Sequence, residues 1–478
     1  MAGTASHAGK SWMATALCRY LRRRGLRVAP FKAQNMSLNS CPCPAGGEIG
    51  RAQTVQAEAA GVEPTPDMNP ILLKPNSTRD CQVVVNGKVW RNLGAAEYYT
   101  HYEYLLGQVL AAYRRLEEQF DALVLEGAGS AVELNLKDRD LVNLGLAVRL
   151  QIPAMLVADI DRGGVFASVV GTFALLNEEE SALVRSFAIN RFRGDPALFE
   201  DGKKILEERA GRPCLGVFPF LDGVKIDAED SVSLDEPPAA APGSGLRIAI
   251  VRLPRISNFT DFSLLDGAEY VTEPTREPPD LIILPGTKNT IADLRWLRAR
   301  GLDHWIREQQ EQGAAVWGIC GGYQMLGQTI SDPWGVESLE GSAEGIGLLP
   351  VETVLLREKT TRLVEARSAS SGRCFRGYEI HMGETTSTDR SSAGSEPFAL
   401  VQGRPEGLRA NGILGTYLHG ALEDPGLLAE LLEEIARRRN KPPPPAPSRL
   451  SREAVYDRLA GWFEEHADLE RFEALYLR

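Results

Sequence analysis

The sequence predicts an α/β protein made of two doubly wound domains. Three observations carry that expectation. Short apolar runs alternate with helical stretches through the first half. A segment with little to bury, "DEPPAAAPGSG" (235–245), then interrupts the pattern, and after it the alternation restarts. Runs buried on both faces and separated by helices are the pattern of parallel strands joined by crossover helices. At 478 residues the chain is also too long for one ordinary core.

In the first half, "LRVAPFK" (26–32), "DALVLEGAG" (121–129), "IPAMLVADI" (152–160) and "SFAINRF" (186–192) read as buried strands, with helical patterns at 97–118 and 164–177. In the second half the strands are "LRIAIVRL" (246–253), "DLIILPGT" (280–287), "AAVWGIC" (314–320) and "GILGTYLHG" (412–420). "KPPPPAP" (441–447) is a stiff spacer. The amphipathic tail 451–478, with Val455, Leu459, Trp462 and Phe463 at helical spacing, is expected to pack back on a domain. The domains expected are 1–235, a linker at 236–245, 246–440, and a spacer with helical tail at 441–478.

The chain opens on "GTASHAGKS", Gly3 to Ser11, followed by an amphipathic helix that ends at Gly25. Glycines let backbone N–H groups turn inward, and the helix N-terminus adds positive potential. Gly3, Thr4 and Gly9 would line a phosphate loop, Lys10 would reach the β/γ-phosphates, and Ser11 could ligate Mg²⁺. Only Met1 and Ala2 precede Gly3, so either the true start lies upstream or the first strand is clipped. Acidic partners are expected at strand ends, where α/β sheets bind ligands. Glu126 and Asp159 are the Mg²⁺ candidates, with a helix cap or turn as the ordinary alternative. Asp161 is as readily a turn residue, and Arg162, beside two glycines, suits an anion.

Cys320 ends a strand and precedes Gly321-Gly322 and a helix. That turn pushes a nucleophile outward and aims the helix N-terminus at the thiol. The N–H of Gly321 could join an oxyanion hole with the "LPGT" turn around Gly286. His419, at the end of "GTYLHG", would be the base. A lone cysteine is usually a small buried hydrophobe. The glycines, the strand and the downstream histidine favour catalysis here.

"GICGGYQMLG" with "YLHG" resembles a class I, triad-type glutamine amidotransferase domain, which has a flavodoxin-like fold. Such domains usually carry a Glu two residues after the His, where this chain has Ala421. The cobyric acid and cobyrinic acid a,c-diamide synthase branch resembles it in that absence. The third triad member is then open between Glu423 and a more distant carboxylate. A poorly oriented imidazole implies slow glutamine hydrolysis. The first half resembles the dethiobiotin synthetase-like ATPases, which share the spacing of five residues between Gly3 and Gly9.

End to end, the chain resembles the cobyric acid synthase family. The stretches include "FKAQNMSLNS" (31–40), "GGEIGRAQTVQAEAAGVEPTPDMNPILLKP" (46–75), "DIDRGGVFAS" (159–168), "INRFRGD" (189–195), "VRLPRISNFTDF" (251–262) and "GYEIHMGET" (377–385). The resemblance implies ATP-dependent amidation of the b, d, e and g carboxylates of adenosylcobyrinic acid a,c-diamide, with ammonia from glutamine. It implies Mg²⁺ and a corrinoid substrate. Read from the residues, Lys32, Gln34 and Asn35 follow a strand ending at Phe31 and so sit in the cleft. Arg51 and Gln53 on the next helix face the substrate or only water, and Asp161 and Arg162 are further candidates. A polar cleft or plain turn and helix residues explain the same positions. Asn190 resembles the adenine-reading Asn of related ATPases. Asp227, Glu229, Asp230, His381 and Glu384 stay open between roles and ordinary surface.

The formal net charge of −11 disfavours nucleic-acid and anionic-membrane binding. Seven dispersed cysteines, none in a C-x-x-C pair, suggest a reducing cytoplasm. No run approaches the roughly 20 apolar residues of a membrane span. The oligomeric state is not readable. The alternatives are a cobyrinic acid a,c-diamide synthase, a partitioning-type ATPase, and a degenerate amidotransferase kept as a scaffold.

Overall fold

The structure, a computed structural model, describes all residues except 78, 225, 228, 230–244, 338–340, 389–393, 446–449 and 478. Asp230, most of the 236–245 linker and the end of the Pro-rich spacer therefore lie outside the described residues.

The first half centres on parallel strands. Ala2–Gly3, Ala154–Asp159, Val184–Phe192 and Cys214–Pro219 form one sheet, and Val28–Phe31 pairs with Ala122–Leu125. Met1 joins the two groups: its nitrogen donates to the Leu125 carbonyl at 2.6 Å, and its carbonyl accepts from Gly127 N at 2.8 Å. In chain order the strands run 2-3-1-4-5-6, and the order reverses beside the first strand. That strand has only two residues and sits in mid-sheet. The helix Lys10–Arg23 follows it and buries Met13, Leu17, Tyr20 and Leu21.

Between the second and third strands lies an insertion that periodicity did not predict as strands. Gln34–Met36, Ile71–Pro75, Asp80–Val85 and Lys88–Gly94 form a sheet, and Ser40–Pro42 pairs with Glu48–Gly50. The hairpin leads into the helix Arg51–Ala60.

The second half has five parallel strands, in space Glu269–Val271, Ile248–Val251, Leu281–Leu284, Ala315–Ile319 and Ile413–Thr416. Their chain order is 2-1-3-4-5, the flavodoxin-like order, which puts a ligand crevice at the carboxyl ends of the strands. Two antiparallel strands extend one edge. A long hairpin, Val351–Ser368 with Cys374–Ser387, forms a second sheet beside it.

The tail helices Arg452–His466 and Leu469–Tyr476 pack on the first half, although they follow the second in sequence. Phe463 sits 5.4 Å from Tyr20 and 5.8 Å from Phe218. Arg19 binds Asp457 at 2.7 Å, and Tyr476 donates to the Ala154 carbonyl at 3.0 Å. Amphipathic spacing predicted docking but not the partner, which the aromatic faces of Tyr20 and Phe218 decide. Among the described residues no helix is long and apolar enough to cross a membrane.

Candidate active sites

The strand Ala315–Ile319 delivers Cys320 to a turn with φ +52°, ψ −109°. That is a strained conformation for a residue with a side chain, stabilised by the surrounding packing. The two glycines after it are required by space. A Cβ on Gly322 would lie 1.9 Å from the Leu284 carbonyl oxygen, and one on Gly321 would lie 2.7 Å from Thr287 Cγ2. The helix Gly321–Leu326 can therefore press on the neighbouring strand, and the "LPGT" turn meets the elbow. Gly286 lies on the other side of the site, where an added Cβ would be 3.0 Å from His419 Cε1. The structure thus brings Cys320, Gly321, Gly286 and His419 together. The Cys320 thiol also donates to the Ile380 carbonyl at 3.5 Å.

His419 is buried, and its Nδ1 lies 2.7 Å from Asp261 Oδ2. The other oxygen of Asp261 accepts from Gly420 N at 2.7 Å. Burial alone would push the imidazole pKa down. The Asp261 carboxylate, by charge and hydrogen bond, and the contact with Cys320 raise it to about 10. The backbone of His419 is clamped to Tyr378 by reciprocal bonds of 3.0 and 2.9 Å, and the two rings stack at 5.2 Å. The orienting carboxylate is therefore Asp261, in the short turn Phe259–Phe262, 158 positions before the histidine.

Glu423 has a different partner set. Its Oε2 takes Arg51 at 2.8 Å and Arg452 at 2.5 Å. His381 stacks on Tyr417 at 3.9 Å, and burial lowers its pKa to about 4, so it stays neutral.

In the first half the phosphate-loop residues meet at the strand ends. Gly9 has φ +96°, and a Cβ there would lie 1.9 Å from Asn190 Nδ2, which donates to the Ala8 carbonyl at 3.0 Å. Lys10 Nζ donates to the carbonyls of Gly129 (2.9 Å) and Ala5 (3.1 Å). Ser11 Oγ donates to Glu126 Oε1 at 2.8 Å. Glu126 also accepts from Lys32 at 3.1 Å and from Gln56 at 2.5 Å, and Lys32 pairs with Glu229 as well. Burial opposes the Lys32 charge, but the two glutamates hold its pKa above the usual lysine range. Burial is also the first influence on Glu126, upward, and Lys32 with its hydrogen bonds brings the net shift down.

The remaining candidates divide. Gln34 accepts from Tyr98 Oη at 2.5 Å, and Asn35 donates to Gln53 at 2.8 Å. Asp159 takes Arg191 at 3.1 Å and the N–H of Asp161 at 2.8 Å. Asp161 is exposed and pairs with Arg193, and Arg162 is exposed. Arg51, expected to face the substrate, is buried and bound to Asp227 at 2.7 Å and to Glu423. Its guanidinium is occupied at the seam between the two halves.

That seam closes directly on the glutaminase-like site. Asn258 Nδ2 donates to the Ser40 carbonyl and to Tyr378 Oη, both at 3.1 Å. Cys41 packs in a small buried cluster with Tyr378 and Ile380. Sequence reasoning had no local signal for these contacts. Asp261 was missed by sequence reasoning, and the acidic residue in the otherwise apolar and amide-bearing run "SNFTDF" is the one signal that could have found it.

The comparisons with known proteins agree with this division. Residues 1–234 match the CobQ/CobB/MinD/ParA nucleotide binding domain, and residues 247–426 match the CobB/CobQ-like glutamine amidotransferase domain. A probable cobyric acid synthase of Methanoculleus marisnigri is 48% identical over 98% of this chain and 96% of its own. The cobyric acid synthase of Parabacteroides distasonis is 45% identical over the same shares, and that of Dehalococcoides mccartyi is 43% identical over 99% and 97%. With both domain families matched in order and relatives of this identity along nearly its whole length, the chain belongs to the cobyric acid synthase family.

Proposed function

We propose that the chain is a cytoplasmic amide ligase that converts adenosylcobyrinic acid a,c-diamide to cobyric acid by amidating its b, d, e and g carboxylates. The observation that carries this reading is the Cys320–His419–Asp261 line set across one seam from the Lys10–Ser11–Glu126 cluster. Residues 1–235 would be the ligase domain and 246–440 the glutaminase domain, with the 441–478 tail completing the ligase core.

In the glutaminase, Cys320 sulfur attacks the side-chain carboxamide of glutamine. Backbone N–H groups at Gly286 and Gly321 meet the developing oxyanion. The His419 imidazolium gives its proton to the departing nitrogen, and ammonia leaves. Water then attacks the thioester, His419 takes its proton, and glutamate leaves. Asp261 holds the imidazole in position and balances its charge.

In the ligase, a corrinoid carboxylate oxygen attacks the γ-phosphorus of ATP and ADP leaves. Ammonia attacks the acyl carbon of the acyl phosphate, loses a proton, and phosphate leaves. Lys10 would stabilise charge on the phosphates, and Asn190, which donates to the Ala8 carbonyl beside the loop, would read the adenine. Gln34 would face the corrinoid carboxylates, with Asp161 and Arg162 at the rim, and Lys32 and Asn35, both buried, would reach them only by exchanging Glu229 and Gln53. The donors fit Mg²⁺: it takes one or two carboxylates plus phosphates and water, and Ser11 Oγ and Glu126 offer hard oxygens 2.8 Å apart. Among the described residues no three His, Cys, Asp or Glu side chains gather as a dedicated cage. Bound there, Mg²⁺ would neutralise phosphate charge. Asp159 is engaged by Arg191 and would join only by exchanging that partner.

The test is to follow corrinoid mass with ATP, magnesium and either glutamine or ammonium. Stepwise conversion of four acids to amides is expected with both nitrogen sources. No mass change with either would refute the substrate assignment. Amidation at the a and c positions of unamidated cobyrinic acid would assign the chain to the sister activity instead.

A further inference from the structure

We propose that ammonia released at Cys320 reaches the ligase site along one buried face of the helix Arg51–Ala60, passing between Gln53 and Gln56. This rests on the functional reading above and names the route between its two halves.

The helix touches both sites. At its start, Arg51 binds Glu423, in the turn that follows His419. The hairpin before it places Cys41 against Tyr378 and Ile380, and the Ile380 carbonyl accepts from the Cys320 thiol. Further along, Gln56 donates to Glu126, the carboxylate that also holds Ser11. Gln56 is five positions beyond Arg51, a rise of about 7.5 Å. One helix end therefore lies at the glutaminase wall, and a turn and a half later the same helix reaches the ligase carboxylate.

Gln53 and Gln56 share a helix face at i, i+3, and both are 0% exposed. Gln53 Nε2 and Gln56 Oε1 have no hydrogen-bond partner among the described residues. The Gln56 orientation follows from chemistry: an ionised Glu126 can only accept, so the amide nitrogen turns to it and the oxygen turns away. Asn35 donates to Gln53 Oε1 at 2.8 Å, which leaves the Gln53 nitrogen as the free donor. Buried polar atoms are ordinarily satisfied, and two orphans on one helix face mark a place for a small polar occupant. Ammonia has one lone pair for Gln53 and three N–H bonds for Gln56. Water fits the same pair and would fill the route between turnovers.

The test compares the full-length protein with Gln53→Leu, measuring glutamate released, amide formed from glutamine, and amide formed from ammonium. The wild-type ratio of glutamate to amide should be near one. In Gln53→Leu, glutamate release and ammonium-dependent amidation should persist, while the ratio rises about tenfold, the scale of one lost hydrogen bond. An unchanged ratio overturns the route. Equal loss with glutamine and with ammonium also overturns it, because Gln53 would then serve the ligase site itself. Absence of amidation by the wild-type protein from ammonium would instead strike the functional reading. If the variant does not fold, a crystal structure of the wild-type protein decides: ordered water between Gln53 and Gln56 is expected, and a dry, directly bonded pair rules the route out.

Discussion

The two catalytic regions differ in how their polar groups are partnered. In the glutaminase the contacts form a line: Asp261 to His419, His419 to Cys320. Each group meets the next within the fold itself, and the thiol also donates to the Ile380 carbonyl. In the ligase the contacts form a knot. Lys10 is folded onto its own loop carbonyls, and Glu126 takes Ser11, Lys32 and Gln56 together. On the proposed reading, phosphates would exchange partners with Lys10, and Ser11 and Glu126 would exchange their mutual bond for a metal. Covalent catalysis needs a fixed nucleophile. Phosphoryl transfer needs charge compensation that arrives with the ligand.

The sharpest test of that contrast is Cys320→Ala. Glutamine-dependent amidation should disappear while ammonium-dependent amidation stays near wild type. Loss of both would mean the two regions are not separable, and the contrast would fail. Next in size is Phe463→Ala, which removes a side chain 0% exposed from the ligase core. It should cost about 3–5 kcal/mol, read as a fall in Tm, and should weaken ATP binding before it affects glutamine hydrolysis. The reverse order would reassign the tail to the glutaminase.

Gly322→Ala should destabilise by about 1–3 kcal/mol, the range for forced overpacking, and should slow glutamine hydrolysis without changing ATP affinity. The smallest effect on the glutaminase chemistry is expected from Glu423→Gln. Its partners are Arg51 and Arg452, so glutamate release with glutamine alone should change less than about threefold. A loss as large as that of a triad residue would restore Glu423 to the catalytic line.

Stability should also follow pH through His419. Its pKa in the folded protein is about 10, against an ordinary 6.5. The stabilisation from its charge is therefore full below pH 6.5 and is lost as pH rises through about 10. In Asp261→Asn the main upward influence is gone. The Tm gap between wild type and variant should narrow as pH climbs through that window, and a widening gap would contradict the ion pair.

Most strands of the two parallel layers were legible because burial on both faces writes itself as apolar runs, whereas Cys214–Pro219 and the short, partly exposed Glu269–Val271 were not singled out. Cys320, His419, Lys10 and Ser11 were legible because glycine-bounded strand ends announce close approaches. Asp261 was not. It lies in a short turn far from the histidine, and only the folded chain brings the two together. With Asp261 in place, the slow hydrolysis expected from Ala421 loses its premise, since the imidazole is oriented from another direction. The insertion between Lys32 and Tyr98 was illegible for a different reason: its strands are short and partly polar, so neither period stands out. Arg51 was read as facing substrate because a helical arginine beside a cleft allows that, and its two acidic partners come from distant parts of the chain.

The most direct measurement is glutamate release from glutamine alone, without ATP or corrinoid, by the wild-type protein and by Asp261→Asn. A fixed Cys320–His419–Asp261 line predicts measurable hydrolysis in the first and a loss on the order of 10²–10⁴-fold in the second, as for other triads deprived of their carboxylate. Equal rates in the two proteins would show that Asp261 does not orient the base, and would contradict the account.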